Sequence, residues 1–320
     1  MTGRVLVTGA GGFVGKAVVA QLASVGLPVR AALRQGPAAT LQGVDTVGIG
    51  NITAETDWRT ALTSVASVVH CAARVHVMHE TATDPLAIFR QVNVEGSLQL
   101  ARQAQASGVR RFIFISSIGV NGAETTERAF TANDAPAPHS PYARSKCEAE
   151  LALRDLARST GLEVVIIRPP LVFGPGAPGN FARLLHALHR GIPLPFGALD
   201  NRRSLVALGN LTSLIYTCIE HPAAANQTFM VSDGEDISST ELLRRLARGL
   251  GRPPRLIPVP GAAIRALAGI VGKADFAQRL CGSLQVDITK TRSVLGWSPP
   301  IRLADALNDA ALDYLAGMRR

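Results

Sequence analysis

The chain has 320 residues, 47% of them hydrophobic, enough for one large α/β unit or two smaller lobes. Its 33 basic and 24 acidic residues leave a formal net charge of +9, a surplus that suits nucleic acid, an anionic membrane surface or a small anionic substrate. The cations are scattered, nearly all are arginine, and no nucleic-acid motif accompanies them, so nucleic-acid binding is not expected; neither is membrane insertion, because the longest apolar run, Ile257 to Val271, is broken by prolines and Arg265.

In chain order, Val5 to Thr8 reads as a short buried strand that the N-terminus enters directly, with no signal peptide expected. A glycine turn feeds a helix from about Phe13 to Val25, ended by Gly26, and strands follow at Val29–Leu33, Val44–Ile49 and Val65–Cys71. A helix from about Pro85 to Ser107 is closed by Gly108. Then come a strand at Phe112–Ser116, a helix at Tyr142–Ser159 and a strand at Val164–Arg168. Strand and helix alternate throughout, which predicts a doubly wound parallel α/β sheet over residues 1–168. After Arg168 the prolines and glycines of 169–179 break regular structure. A helix from about Asn180 to Arg190 and one strand near Thr228–Val231 stand in an otherwise helical remainder. Residues 169–320 are expected to form a substrate lobe with a soft boundary, some later strands returning to the sheet. Cysteines 71, 147, 218 and 281 have neither metal spacing nor a paired framework, which suits reduced thiols and a cytoplasmic protein without a metal.

Two motifs carry chemistry. Thr8-Gly9-Ala10-Gly11-Gly12-Phe13-Val14-Gly15 follows a strand and opens a helix. Gly9 permits the tight turn, Gly12 lets backbone approach a pyrophosphate, Gly15 lets helix and strand pack, and the helix N-terminus attracts the phosphates. In Tyr142-Ala143-Arg144-Ser145-Lys146 the Tyr and Lys are four apart on one helix face, where the ammonium is expected to lower the phenol's pKa towards neutrality. The second strand ends Leu33-Arg34-Gln35 without the acid that would bind a ribose 2′-hydroxyl, while Arg34 could neutralise a 2′-phosphate. NADP(H) is therefore expected in preference to NAD(H).

These residues resemble the short-chain dehydrogenase/reductase superfamily, and the TGxxGFxG form resembles its extended branch, the NAD-dependent epimerase/dehydratase family. Val69-His70-Cys71-Ala72-Ala73 looks like the fourth-strand segment lining the cofactor, Asn93 matches the family's helix Asn, and Ser116-Ser117 matches its serine strand. The resemblance implies a Rossmann sheet and a homodimer. It implies Ser117, Tyr142 and Lys146 as the catalytic set, and cofactor contacts from Gly9, Gly12, Phe13, Val14, Arg34, Asn51, Ile52, Cys71, Ala72, Ala73, Asn93 and Lys146. Asn121 stands where sugar-nucleotide epimerases often carry Tyr.

The substrate end resembles nucleotide-sugar enzymes. Arg168 to Pro175 follows their R-x-x-x-V-[YF]-G-P pattern with Leu171 replacing the usual Asn, and Thr289 to Trp297 follows their C-terminal ending. The resemblance implies a UDP-sugar contacted by His76, Asn180, Arg203 and Arg279 together with Ser117 and Tyr142. Arg279 to Leu284 looks like bacterial 4-keto-6-deoxy-N-acetylhexosamine reductases of O-antigen pathways, which implies an NADPH-dependent C4-ketoreductase of a UDP-2-acetamido-2,6-dideoxy-4-hexulose. A UDP-hexose 4-epimerase with retained NAD is the alternative, and an NADP-binding redox sensor the non-enzymatic one.

Overall fold

The computed structural model describes residues 3–35, 43–75, 84–270 and 274–318, with the side chains of 274–276 and 279 left out. Ten strands are present: β1 Arg4–Thr8, β2 Val29–Leu33, β3 Asp45–Gly48, β4 Val65–His70, β5 Arg111–Ile115, β6 Glu163–Arg168, β7 Leu171–Phe173, β8 Arg203–Ala207, β9 Thr228–Met230 and β10 Asp236–Ile237. Seven form one sheet in the order β3-β2-β1-β4-β5-β6-β9, with every pairing parallel. The expected doubly wound sheet is therefore observed. Strand order reverses between β1 and β4, so the crevice at their carboxyl ends is where such a sheet takes a ligand.

Alternation along the strands explains the layering. Val5 and Val7 point to one face, where they join Val18 and Leu22 of the helix Phe13–Ser24 and Leu211 and Ile215 of the helix Leu208–Glu220. Leu6, Phe112 and Phe114 point to the other face and meet Leu100 and Ala101 of the helix Ser97–Ala106 and Ala149 and Leu153 of the helix Pro141–Thr160. The helix Leu208–Glu220 and strand β9 return from the C-terminal part of the chain to this sheet.

Two elements differ from the sequence reading. The single helix expected from Pro85 to Ser107 is α-helical at Pro85–Arg90 and Ser97–Ala106, with a π-helical stretch, Gln91–Gly96, between them. The Pro/Gly segment after Arg168 encloses β7, which pairs with β8, and β8 pairs with β10 in a second three-stranded sheet. These strands are two to five residues long and are held by distant partners, so no local period marks them. A separate apolar core under this sheet, including Phe173, Phe181, Leu205, Leu243 and Leu307, holds the C-terminal helices together.

Candidate active site

The glycine turn joins β1 to the helix Phe13–Ser24 with Gly12 at the N-cap and no side chain capping it, so the first helical N–H groups face outward. Gly9 has φ +64°, a conformation other residues adopt only with strain, and a Cβ there would come within 2.7 Å of the Ala72 nitrogen. At Gly15 a Cβ would overlap the Gly9 carbonyl. The chain thus needs glycine at both positions to bring β1, β4 and the helix together.

Those strand ends border a cleft of about 1010 Å³. Gly9, Gly12, Arg34, Asn51, Ile52, Cys71, Ala72 and Ala73 line it, joined by residues the motifs did not single out, among them Gln35, Thr53, Arg74 and Gln91. Arg34 and Arg74 are the charged groups among the described residues that line it, and no carboxylate is among them. A dinucleotide fits this donor set: bare glycine backbone at a helix N-terminus for a pyrophosphate, and Arg34 just past the end of β2. Phe13 and Val14 turn away from the cleft, Phe13 packing on the C-terminal core and Val14 on the sheet core. Asn93, in the π-helical stretch, lies behind the wall: it accepts from the Arg74 N–H at 2.8 Å and donates to the Arg74 carbonyl at 3.0 Å and to Ser145 Oγ at 3.0 Å. It holds the backbone that carries Ala73 and Arg74 into the cleft.

The helix Pro141–Thr160 starts under strong local control. Ser140 accepts from the Ala143 N–H, Pro141 is at the first turn, and Gly161 ends the helix at φ 74°. This puts half-buried Tyr142 one turn before Lys146, which is 2% exposed. Lys146 Nζ donates to the Ile115 carbonyl at 2.8 Å and lies 4.4 Å from the centre of the Phe114 ring. Burial lowers Lys146 to about 8, with Cys71 and Glu150 opposing the shift. The spacing of Tyr142 and Lys146 led to the expectation of a lowered phenol; instead, burial pushes Tyr142 up to about 12. At neutral pH the phenol therefore keeps its proton.

The two serines after β5 are distinct. Ser116 is buried and donates to Glu150 Oε1 at 2.6 Å. Ser117 is half-buried and its Oγ accepts from the Gly119 N–H at 3.1 Å, which leaves its O–H to donate elsewhere. Glu150 also receives Arg168 twice, from Nε at 2.9 Å and Nη2 at 2.6 Å, and Arg154 at 2.9 Å. Arg168 Nη1 donates to Asn121 Oδ1 at 2.9 Å, and Asn121 donates in turn to the Thr131 carbonyl. Asn121 is thereby turned inward to this network. Its sequence signal was slight: Glu150 is four residues past Lys146, while Arg168 ends a different element.

The remaining residues expected at the substrate are dispersed. Arg203, half-buried at the start of β8, donates from Nη1 to the Gly282 carbonyl at 2.9 Å. Next to it Leu284, Val286 and Ile288 pack against Ile118, the residue after Ser117, so Arg203 borders the segment that closes on the serine turn. Asn180 is exposed at the first turn of the helix Asn180–His189. His76 and the Arg279 side chain lie outside the described residues. Among the described residues no three His, Cys, Asp or Glu side chains gather as a metal site would require.

Sheet, glycine turn and Tyr/Lys helix define a dinucleotide-dependent enzyme of the short-chain dehydrogenase/reductase type. The NAD dependent epimerase/dehydratase family matches residues 5–232, and the chain belongs to that family. It is 44% identical to a UDP-glucose 4-epimerase from Vibrio cholerae over 100% of this chain and 98% of that protein. It is 27% identical to a GDP-6-deoxy-D-mannose reductase from Pseudomonas aeruginosa over 100% and 99%. The UDP-glucuronic acid 4-epimerase from Bacillus cereus in complex with NAD has the same fold, with a TM-score of 0.80 at 20% identity over 99% of this chain and 100% of that one.

Proposed function

We propose that the protein is an NADPH-dependent C4-ketoreductase of a UDP-2-acetamido-2,6-dideoxy-4-hexulose, giving UDP-N-acetylquinovosamine or UDP-N-acetylfucosamine according to which face of the carbonyl is reduced. The observation that carries this reading is the charge of the dinucleotide cleft, where Arg34 stands just past the end of β2 and no carboxylate is among the described lining residues. A 2′-phosphate is attracted there by the Arg34 guanidinium, and the usual acid that would repel it does not follow β2. NADP(H) is the cofactor of an enzyme that consumes external reducing power, whereas an epimerase returns its hydride to the same sugar.

NADPH, when bound, supplies the hydride that becomes the new C–H bond at C4. The chain's own groups handle the oxygen and its proton. Ser117 O–H donates to the C4 carbonyl oxygen and stabilises the charge that develops there. Tyr142, neutral at pH 7, transfers its phenolic proton to that oxygen as the carbonyl becomes an alcohol, and takes a proton back from solvent afterwards. Lys146, fixed by the Ile115 carbonyl, holds the nicotinamide ribose with its remaining N–H groups. Arg203 and Arg279 pair with the UDP diphosphate.

The 4-epimerase reading is favoured by the 44% identity to the Vibrio cholerae protein. Mass spectrometry separates the two when the protein is incubated with NADPH and the UDP-4-keto sugar. A product heavier by two hydrogens is expected; an unchanged 4-keto sugar, together with isobaric conversion of UDP-glucose to its C4 epimer without added NADPH, overturns the ketoreductase in favour of the epimerase.

A further inference from the structure

One apolar element of the C-terminal lobe has work left over. The helix Gly261–Ile270, sequence GAAIRALAGI, contains no buried residue. Its inner side is already used: Ile264 packs on the lobe core, and a Cβ on Gly261 would lie 3.2 Å from Leu199. Its outer side carries Ala263, Leu267 and Ile270 at positions i, i+4 and i+7, one stripe of the helix. Leu267 is 63% and Ile270 82% exposed, and Ile257 on the strand-like lead-in is 50% exposed. A helix apolar on both faces with only one of them docked has a second apolar partner to meet.

Charge says what that partner is. Between Glu241 and Asp275 the sequence contains no acidic residue. Arg252 and Arg255 of the lead-in and Arg265 of the helix itself are all exposed, and none forms an ion pair among the described residues. A second copy of the chain meeting this face across a two-fold axis would set these arginines against their own counterparts. The described outer side chains, Ala263, Leu267 and Ile270, are small or aliphatic and offer no hydrogen-bonding group to a specific protein. At about 1.5 Å per residue the helix spans about 15 Å, half the thickness of a bilayer core, so it suits lying in the interface and cannot cross it.

We propose that this face docks on an anionic phospholipid surface: Leu267, Ile270 and Ile257 enter the acyl boundary while the flanking arginines pair with lipid phosphates. The attachment is peripheral and reversible, since a few aliphatic side chains and a basic rim hold it.

The test is sedimentation of the full-length protein with vesicles of phosphatidylcholine alone or with about one-third phosphatidylglycerol, at about 0.15 M salt. Wild type should sediment with the phosphatidylglycerol vesicles and stay in solution with the neutral ones. The Leu267→Glu/Ile270→Glu double variant and the Arg252→Gln/Arg255→Gln/Arg265→Gln triple variant should each lose about tenfold or more of this binding while still binding NADPH as wild type does. Wild type that ignores both vesicle types overturns the proposal, as does vesicle binding that both variants retain. If the double variant turns a dimer into a monomer in sedimentation velocity while wild type ignores vesicles, the face is a subunit contact and the proposal fails.

Discussion

The cofactor cleft and the substrate side solve binding in different ways. The cleft is built from the carboxyl ends of adjacent parallel strands and a glycine turn, so most of what touches a ligand there is backbone or a residue one step beyond a strand. The substrate contacts we propose are single side chains on separate elements, Arg203 on β8 and Asn180 on the helix Asn180–His189, around a second small sheet with its own apolar core. Backbone recognition tolerates sequence change outside a few glycines. Side-chain recognition does not, and there related enzymes of one fold diverge in substrate.

The largest effect should come from the catalytic helix, which belongs to both regions. Tyr142→Phe keeps the ring beside Phe89 and removes only the transferable proton, so kcat should fall by about 10²–10⁴ while NADPH affinity is unchanged. Near-normal turnover by this variant, measured by NADPH oxidation, would make Tyr142 structural. Next in size is the buried network behind the serines. Arg168→Met leaves Glu150 with only the partly exposed Arg154 for a cationic partner in an apolar setting, and should cost about 3–5 kcal/mol in urea unfolding. A loss under 1 kcal/mol would show that water replaces the guanidinium without strain.

The contrast also governs what was legible. The Tyr142/Lys146 pair and the turn from Gly9 to Gly15 depend on spacings of four to six residues within one element or one junction, and a local pattern reveals them. The Glu150–Arg168 pair joins a helix to β6, and β7, β8 and β10 exist only because distant segments supply hydrogen bonds, so the sequence offers no period to read. The π-helical stretch was hidden for another reason: Gln91–Gly96 keeps helical composition, and the contact it makes, from Asn93 to the Arg74 backbone, is long-range.

Electrostatics can be probed on both sides of this divide. Arg34→Asp should weaken NADPH and favour NADH, moving the preference by about tenfold to a hundredfold. Equal affinities for the two cofactors before and after substitution would remove the ground for assigning NADP(H). The pH profile reports on Lys146. Its ammonium is already weakened by burial to about 8, so reduction should slow as pH rises through that range and the charge is lost. Glu150 favours the charged form, hence Glu150→Gln should move this falling limb to lower pH. His70, held neutral by burial at about 3, and Cys71, raised to about 12, contribute no change of charge near neutrality. A limb that stays in place in Glu150→Gln would mean another group controls it.

The smallest expected effect separates the two ways of reading the substrate side. Arg203 donates to the Gly282 carbonyl with Nη1, and burial lowers its pKa, a cost that an anion nearby would offset. If the guanidinium clamps the substrate diphosphate with its other N–H groups, losing one charge-assisted contact of about 1.5–3 kcal/mol should raise KM by about tenfold or more in Arg203→Ala, with NADPH affinity unchanged. If it only braces the segment that packs on Ile118, the variant should lose stability and kcat together while KM stays near wild type. Arg203→Lys sharpens the distinction. A lysine keeps the positive charge but gives up the planar fork that serves the carbonyl and an anion at once. Partial recovery of KM in Arg203→Lys would therefore identify charge on the substrate as the residue's task, and a KM no better than that of Arg203→Ala would point to its geometry.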